Sequence, residues 1–264
     1  MVNQNPTSGT RSYILLLDEL SILADTIGGG TLRYLPEISK KMSVSEADKT
    51  RVITMSDLAL RGLIRLPVKE TSDIQPELLN ILNCCLKAQT YLVIQTYGLQ
   101  HDVVYIHDNG WVLQTFRGMN VVEFVTIPGS DVLVSWYADA LGLTSLMIGN
   151  PPKFSIPAKY LTESALTWGN PLSENLREVL LNCDIPPSLR NTLTRFPESP
   201  IQFSSIWREN IQTSERQDMA GFIILELRDE FWLIRFTGDE NSLPMAEFEP
   251  TSAGKVRRAF LSLM

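Results

Sequence analysis

Pro76-Glu77-Leu78-Leu79-Asn80-Ile81-Leu82 and Pro187-Ser188-Leu189-Arg190-Asn191-Thr192-Leu193 share the pattern P-x-L-x-N-x-L, and strand-like segments follow both copies. After the first come TYLVIQTY (90–97), DVVYIH (102–107), WVLQTF (111–116) and VVEFV (121–125), then a helical stretch from Ser130 to Leu141. After the second come strand candidates at 200–207, 222–227, 231–236 and 243–248, then a helical stretch from Ser252 to Met264. These runs are short, rich in β-branched and aromatic residues, and separated by turn residues such as Asp108-Asn109-Gly110, as antiparallel strands are. WVLQTF and FWLIRF both begin with an aromatic and end in Phe. Glu123-Phe124 and Glu247-Phe248 follow them, with Trp136 and Phe260 each twelve residues beyond the Phe. Several matches in one order indicate a duplicated unit.

Helical spacing fills the rest of each half. Apolar residues at Leu16, Leu20, Leu23 and Ile27 form a stripe through 13–27, which Gly28-Gly29-Gly30 ends. Further helical segments are expected after Pro36, over Ser45–Leu60, from Pro76, and near 157–168, 172–182 and 187–195, with Pro in the first turn where helix starts favour it. The expected organisation is a polar tail over 1–12 and two α+β repeats, 13–141 and 142–264, packed as one compact unit. A three- or four-stranded sheet covered on one face is marginal and leaves an edge open. Two such units sharing one antiparallel sheet, related by a pseudo-twofold axis and flanked by helical bundles, solve that problem.

Composition narrows the function classes. The 264 residues are 44% hydrophobic and 20% charged, as in a globular protein with a packed core. Lys and Arg total 23 against 30 Asp and Glu, a net charge of −7, with 11 basic and 15 acidic residues up to Leu141. Neither half is a basic body and no basic stripe occurs, which argues against nucleic acid as a partner. No apolar run reaches the length of a membrane span, and Tyr13–Leu17 is too short for a signal core, so a cytoplasmic protein is expected. Cys84, Cys85 and Cys183 cannot all pair and lack C-x-x-C spacing, which suits buried thiols in a reducing compartment.

Chemistry is hard to find. His101 and His107, the only histidines, lie at the two ends of one predicted strand, about 20 Å apart and too far to share a metal. There is no G-x-S-x-G, Walker loop, G-x-G-x-x-G or H-E-x-x-H. The Asp229-Glu230 and Asp239-Glu240 pairs fall in predicted hairpin turns, where acidic residues are solvated. No catalytic, cofactor-binding or metal-binding residue is therefore assigned, and no enzyme activity or cofactor is expected. Two asymmetries between the halves suggest partner binding instead: the polar connection WRENIQTSERQDMAG (207–221), flanked by Trp207 and Met219, and the turn TGDENS (237–242) with Asp239 and Glu240.

The opening LLLDELSILADTIGGGTLRYLP, the SDLALRGLI segment, the PELLNIL helix leading into strands, and the closing EFWLIRFTG and AEFEPTSAGKVRRAFLSLM resemble EspG-type chaperones of type VII (ESX) secretion over nearly the whole length. The resemblance implies a cytosolic, non-enzymatic chaperone with a quasi-twofold α+β fold that binds PE–PPE-type heterodimers before export. It also implies a contact surface on the central sheet, its loops and the C-terminal helical part. Here these are the 207–221 loop, the 237–242 turn and the last helix with Arg257 and Arg258. The chain is rich in Ile, Asn and Thr where that family is rich in Ala, Gly and Arg, which leaves room for an equivalent client. A second class fits the acidity as well: an immunity or antitoxin-like protein neutralising a basic partner. An enzyme without a local motif is the third.

Overall fold

The structure, a computed structural model, describes residues 11–28, 32, 35, 44–95, 101–108, 110–118, 120–140, 151–161, 173–196, 201–210, 220–227, 230–238 and 243–264. Its elements run β1 (Ser12–Leu16), α1 (Leu17–Ile27), α2 (Val44–Leu60), α3 (Pro76–Lys87), β2 (Thr90–Gln95), β3 (His101–His107), β4 (Gly110–Gly118), β5 (Val121–Ile127) and α4 (Ser130–Ala140). They continue with β6 (Phe154–Pro157), α5 (Ser173–Asn182), α6 (Pro187–Arg195), β7 (Ile201–Asn210), β8 (Ala220–Leu227), β9 (Glu230–Thr237), β10 (Met245–Pro250) and α7 (Ala253–Leu261). The class is α+β, with a ten-stranded antiparallel sheet in the order β1-β5-β4-β3-β2-β7-β8-β9-β10-β6. The two meanders expected from sequence are the inner eight strands of that order.

The chain divides into two compact units: residues 1–92, 101–129 and 210–217, and residues 93–100, 130–209 and 218–264. In the first, α3 packs on β3 and β4, and α1 on α2. Leu20, Leu23, Leu78, Leu82, Tyr105 and Phe124 are buried there. The fully buried Gln114 accepts the Tyr105 hydroxyl at 3.0 Å, so neither polar group is stranded inside the sheet face. α3 starts on Pro76, whose missing N–H is one a helix start leaves unpaired anyway. α1 ends at Gly28, whose φ of 112° is the left-handed conformation that glycine adopts cheaply.

In the second unit, Leu180, Leu189, Leu193, Leu225, Trp232, Ile234, Ala246 and Phe248 form one core. α5 and α6 are clasped reciprocally. Arg177 of α5 donates from Nη1 to the carbonyls of Leu193 and Phe196 at 2.7 and 3.1 Å, closing the C-terminal end of α6. Arg190 of α6 donates to the carbonyls of Leu181 and Cys183 at 2.7 and 2.8 Å, closing the end of α5. These are carbonyls a helix end cannot bond by itself. α4 belongs to this unit and packs on α7, with Tyr137 and Phe260 stacked at 6.2 Å between ring centroids.

Three sequence expectations are corrected. The helix read over 13–27 begins only at Leu17, because Ser12–Leu16 is a strand paired antiparallel to β5 in the register Ile14↔Glu123. The helical reading near 157–168 begins on a strand, since Phe154–Pro157 pairs with β10; residues 162–168 lie outside the described residues. The connection read as 207–221 is shorter than expected, because β7 continues to Asn210 and β8 starts at Ala220. The helical segment expected directly after Pro36 lies outside the described residues.

Candidate partner-binding surface

Trp207 stands on β7, half-buried, directly across from Gly221 of β8. A Cβ at Gly221 would lie 2.7 Å from the Ile206 carbonyl oxygen and 2.8 Å from Trp207 Cβ, so only glycine permits this close approach. The indole Nε1–H donates to Glu209 Oε1 at 2.8 Å, giving that 5%-exposed carboxylate a partner and holding the ring. Met219, Asp239 and Glu240 lie outside the described residues, so their part in a surface is not described.

Arg257 and Arg258 are exposed on α7. Arg257 pairs with Asp131 of α4 at 2.7 Å, with both side chains more than half exposed, an ion pair worth little by itself. Arg208, the neighbour of Trp207, donates to the carbonyl of Leu263 at 3.2 Å and so lies on the sheet face that the C-terminal segment covers. Alternation along a strand then puts Trp207 on the opposite face. The structure does not bring Trp207 and the two arginines onto one face.

Two residues not singled out from sequence flank the segment 237–242, of which 239–242 lie outside the described residues. Phe236, 46% exposed, is the sixth residue of the FWLIRF strand, and Leu243, 79% exposed, lies just past that segment. The repeat had a usable signal: Phe236 matches Phe116 in position, and a strand-end aromatic beside a long turn is a candidate anchor.

A cleft of about 800 Å³ lies in the first unit between α3 and the ends of β3–β5, lined by Arg11, Glu77, Asn80, Lys87, Cys84 and His107 among others. Arg11 and Glu77 pair across it at 2.6 Å, which holds the Glu77 carboxyl below its ordinary range. Cys84 donates its thiol to the Gly110 carbonyl at 3.3 Å, and burial pushes its pKa up to about 11. Burial also raises the Cys85 and Cys183 thiols. All three are thiols near neutral pH, a poor state for a nucleophile. Burial lowers the His101 pKa and favours its neutral form. Among the described residues no group of three or more His, Cys, Asp and Glu is arranged to hold a metal ion, and no helix is long and apolar enough to cross a membrane. The helical spacing of Glu77, Asn80 and Lys87 along α3 was the readable sign of this polar cleft.

The C-terminal end of β10 carries a charge cluster. Glu249 meets Lys255 at 2.9 Å, Lys153 at 3.4 Å and Arg235 at 3.5 Å. The hydrogen bond from Lys255, with the positive charges of Lys255 and Lys153, lowers its pKa against the opposing effect of burial. A depressed carboxylate contributes stability above its unfolded pKa of about 4.3 and loses it as pH falls through the folded value. The thermal midpoint of the wild type should therefore exceed that of Glu249→Gln at neutral pH, and the gap should close as pH drops below about 4. A gap that stays constant across that range would refute the assignment.

The fold and this surface define an α+β protein built on a ten-stranded antiparallel sheet with helices packed against it. The structure is similar to that of the Mycobacterium tuberculosis type VII secretion system chaperone EspG5, solved in complex with a PE25–PPE41 dimer. The likeness covers 96% of this chain and 95% of that one, with a TM-score of 0.62 and 12% sequence identity. No family model and no curated protein matches the sequence. The likeness is one of fold.

Proposed function

We propose that the protein is a non-enzymatic chaperone, acting in the cytoplasm, that binds secretion substrates of the PE–PPE heterodimer type or their equivalent before export. The observation that carries this reading is the fold likeness to EspG5 over 96% of the chain. The duplicated sequence pattern supports it. Phe124 and Phe248 occupy matching positions and are fully buried, while Glu123 and Glu247 point to the other face and are held by Arg117 and Lys153. We read the halves 13–141 and 142–264 as two copies of one unit on that basis. Contact residues are proposed at Phe236 and Leu243, which supply exposed apolar surface at the two ends of the segment 237–242, and at Asp239 and Glu240 within its sequence. Trp207, Met219, Arg257 and Arg258 are proposed as further contacts.

The test is co-expression with candidate heterodimers encoded beside it, followed by affinity purification and light scattering. A complex of defined stoichiometry is expected. Phe236→Glu with Leu243→Glu should weaken capture by about tenfold or more, as loss of apolar anchors does, with an unchanged thermal midpoint. Failure to recover any stoichiometric partner would overturn the reading.

A further inference from the structure

Among the described residues the ten-stranded sheet ends on two strands with no outer neighbour, β1 and β6. Unpaired strand edges invite addition of a strand from another chain. On β1, the Thr126 N–H donates to the Arg11 carbonyl and the Leu17 N–H to the Asn120 carbonyl, each at 3.1 Å. With the register Ser12↔Val125, Ile14↔Glu123 and Leu16↔Val121, the odd-numbered residues bond to β5. The backbone of Ser12, Ile14 and Leu16 therefore faces outward, on the free side.

Two of those outward groups are already taken by side chains. Glu19, 2% exposed, accepts the Leu16 N–H at 2.7 Å on Oε2. Its other oxygen accepts Arg61 Nη1 at 2.7 Å, and Arg61 Nη2 donates to the Ile14 carbonyl. One ion pair thus occupies the edge as an incoming strand would. The β6 edge is closed by a different means. The Ala158 N–H donates to the Pro244 carbonyl at 2.8 Å, and the register runs Ile156↔Ala246, so the outward residues of β6 are Ser155 and Pro157. Proline has no N–H to offer.

We propose that the Glu19–Arg61 pair is a side-chain plug that keeps a second copy of this chain from pairing, β1 to β1, across the free edge. Ile14 and Leu16, 53% and 48% exposed, flank the plugged edge and would become cross-strand contacts in such a pair. The same Arg61 spans an acceptor on α1 and one on β1, so its removal opens the edge without deleting any strand residue.

The experiment is light scattering of the full chain over a dilution series, with amide hydrogen exchange read at Ser12 and Ile14. Wild type keeps one mass. Arg61→Met should shift with concentration toward about twice that mass, the closed pairing a twofold axis allows, with slowed exchange at Ser12 and Ile14. Adding Ile14→Pro, which removes an outward N–H, should return the wild-type mass. If Arg61→Met does not fold, Arg61→Lys carries the same test, since one ammonium holds Glu19 without also bonding the Ile14 carbonyl. A folded variant whose mass stays at the wild-type value overturns the proposal. So does a mass increase without protection at Ser12 and Ile14, or one that Ile14→Pro leaves in place.

Discussion

Replacing Trp232 by Ala is expected to lower the unfolding free energy by about 3–5 kcal/mol, the range for deleting a large buried aromatic. Trp232 has no exposed surface and sits in the core of the second unit. Phe154 meets its ring edge-on at 5.4 Å and stacks on Phe248 at 4.5 Å, so the deletion removes one member of a three-ring cluster. Close-packed surroundings cannot collapse to fill that space. Its indole N–H is buried with no acceptor among the described residues. Trp232→Phe keeps a ring and deletes that unbonded donor, so it should recover most of the loss. Urea denaturation checks both variants. A Trp232→Ala protein within about 1 kcal/mol of wild type would contradict the packing described here.

The second large effect concerns the clasp between α5 and α6. Arg177→Met and Arg190→Met should each cost about 1.5–3 kcal/mol, the range for hydrogen bonds to charged groups. Arg177 is 9% exposed, and its loss would leave the Leu193 carbonyl without this donor inside the protein. Because each arginine closes the other helix, releasing one loosens the frame the second depends on. The double variant should therefore lose less than the sum of the singles, a coupling a double-mutant cycle reads directly. Strict additivity would show that the two contacts act independently.

Local signals placed some elements of this fold closely and missed others. The helix expected over 187–195 is Pro187–Arg195, and the one expected from Pro76 runs to Lys87; proline starts and apolar spacing are written into the segments themselves. β1 was hidden because Tyr13–Leu17 continues the helical spacing of α1. Only pairing with β5, more than a hundred residues away, makes it a strand. β6 is four residues long, too short for alternation to register. Trp207–Asn210 is polar enough to read as a loop, yet the contact of Trp207 with Gly221 and its hydrogen bond to Glu209 carry the strand on.

The candidate surface was less legible. Phe236 was noted as the end of a repeated motif, but its exposure follows from its place past the covered part of β9. The contact of Tyr137 with Phe260 joins a helix of the first half to one of the second, and no local spacing announces it. Which face of a helix is buried depends on what covers it, and here the cover comes from the other half of the sequence.

That last contact bears on how the protein is made. α4 leaves the ribosome midway through synthesis, carrying Leu133, Val134 and Tyr137, all buried in the finished fold. The helix it packs on, Ala253–Leu261, is made more than a hundred residues later. Nascent chains fold as their parts become available, and surface still waiting for its cover is prone to aggregate. A ribosome stalled before Ala253 would hold an α4 without its partner helix, and synthesis of Ala253–Leu261 releases it from that state.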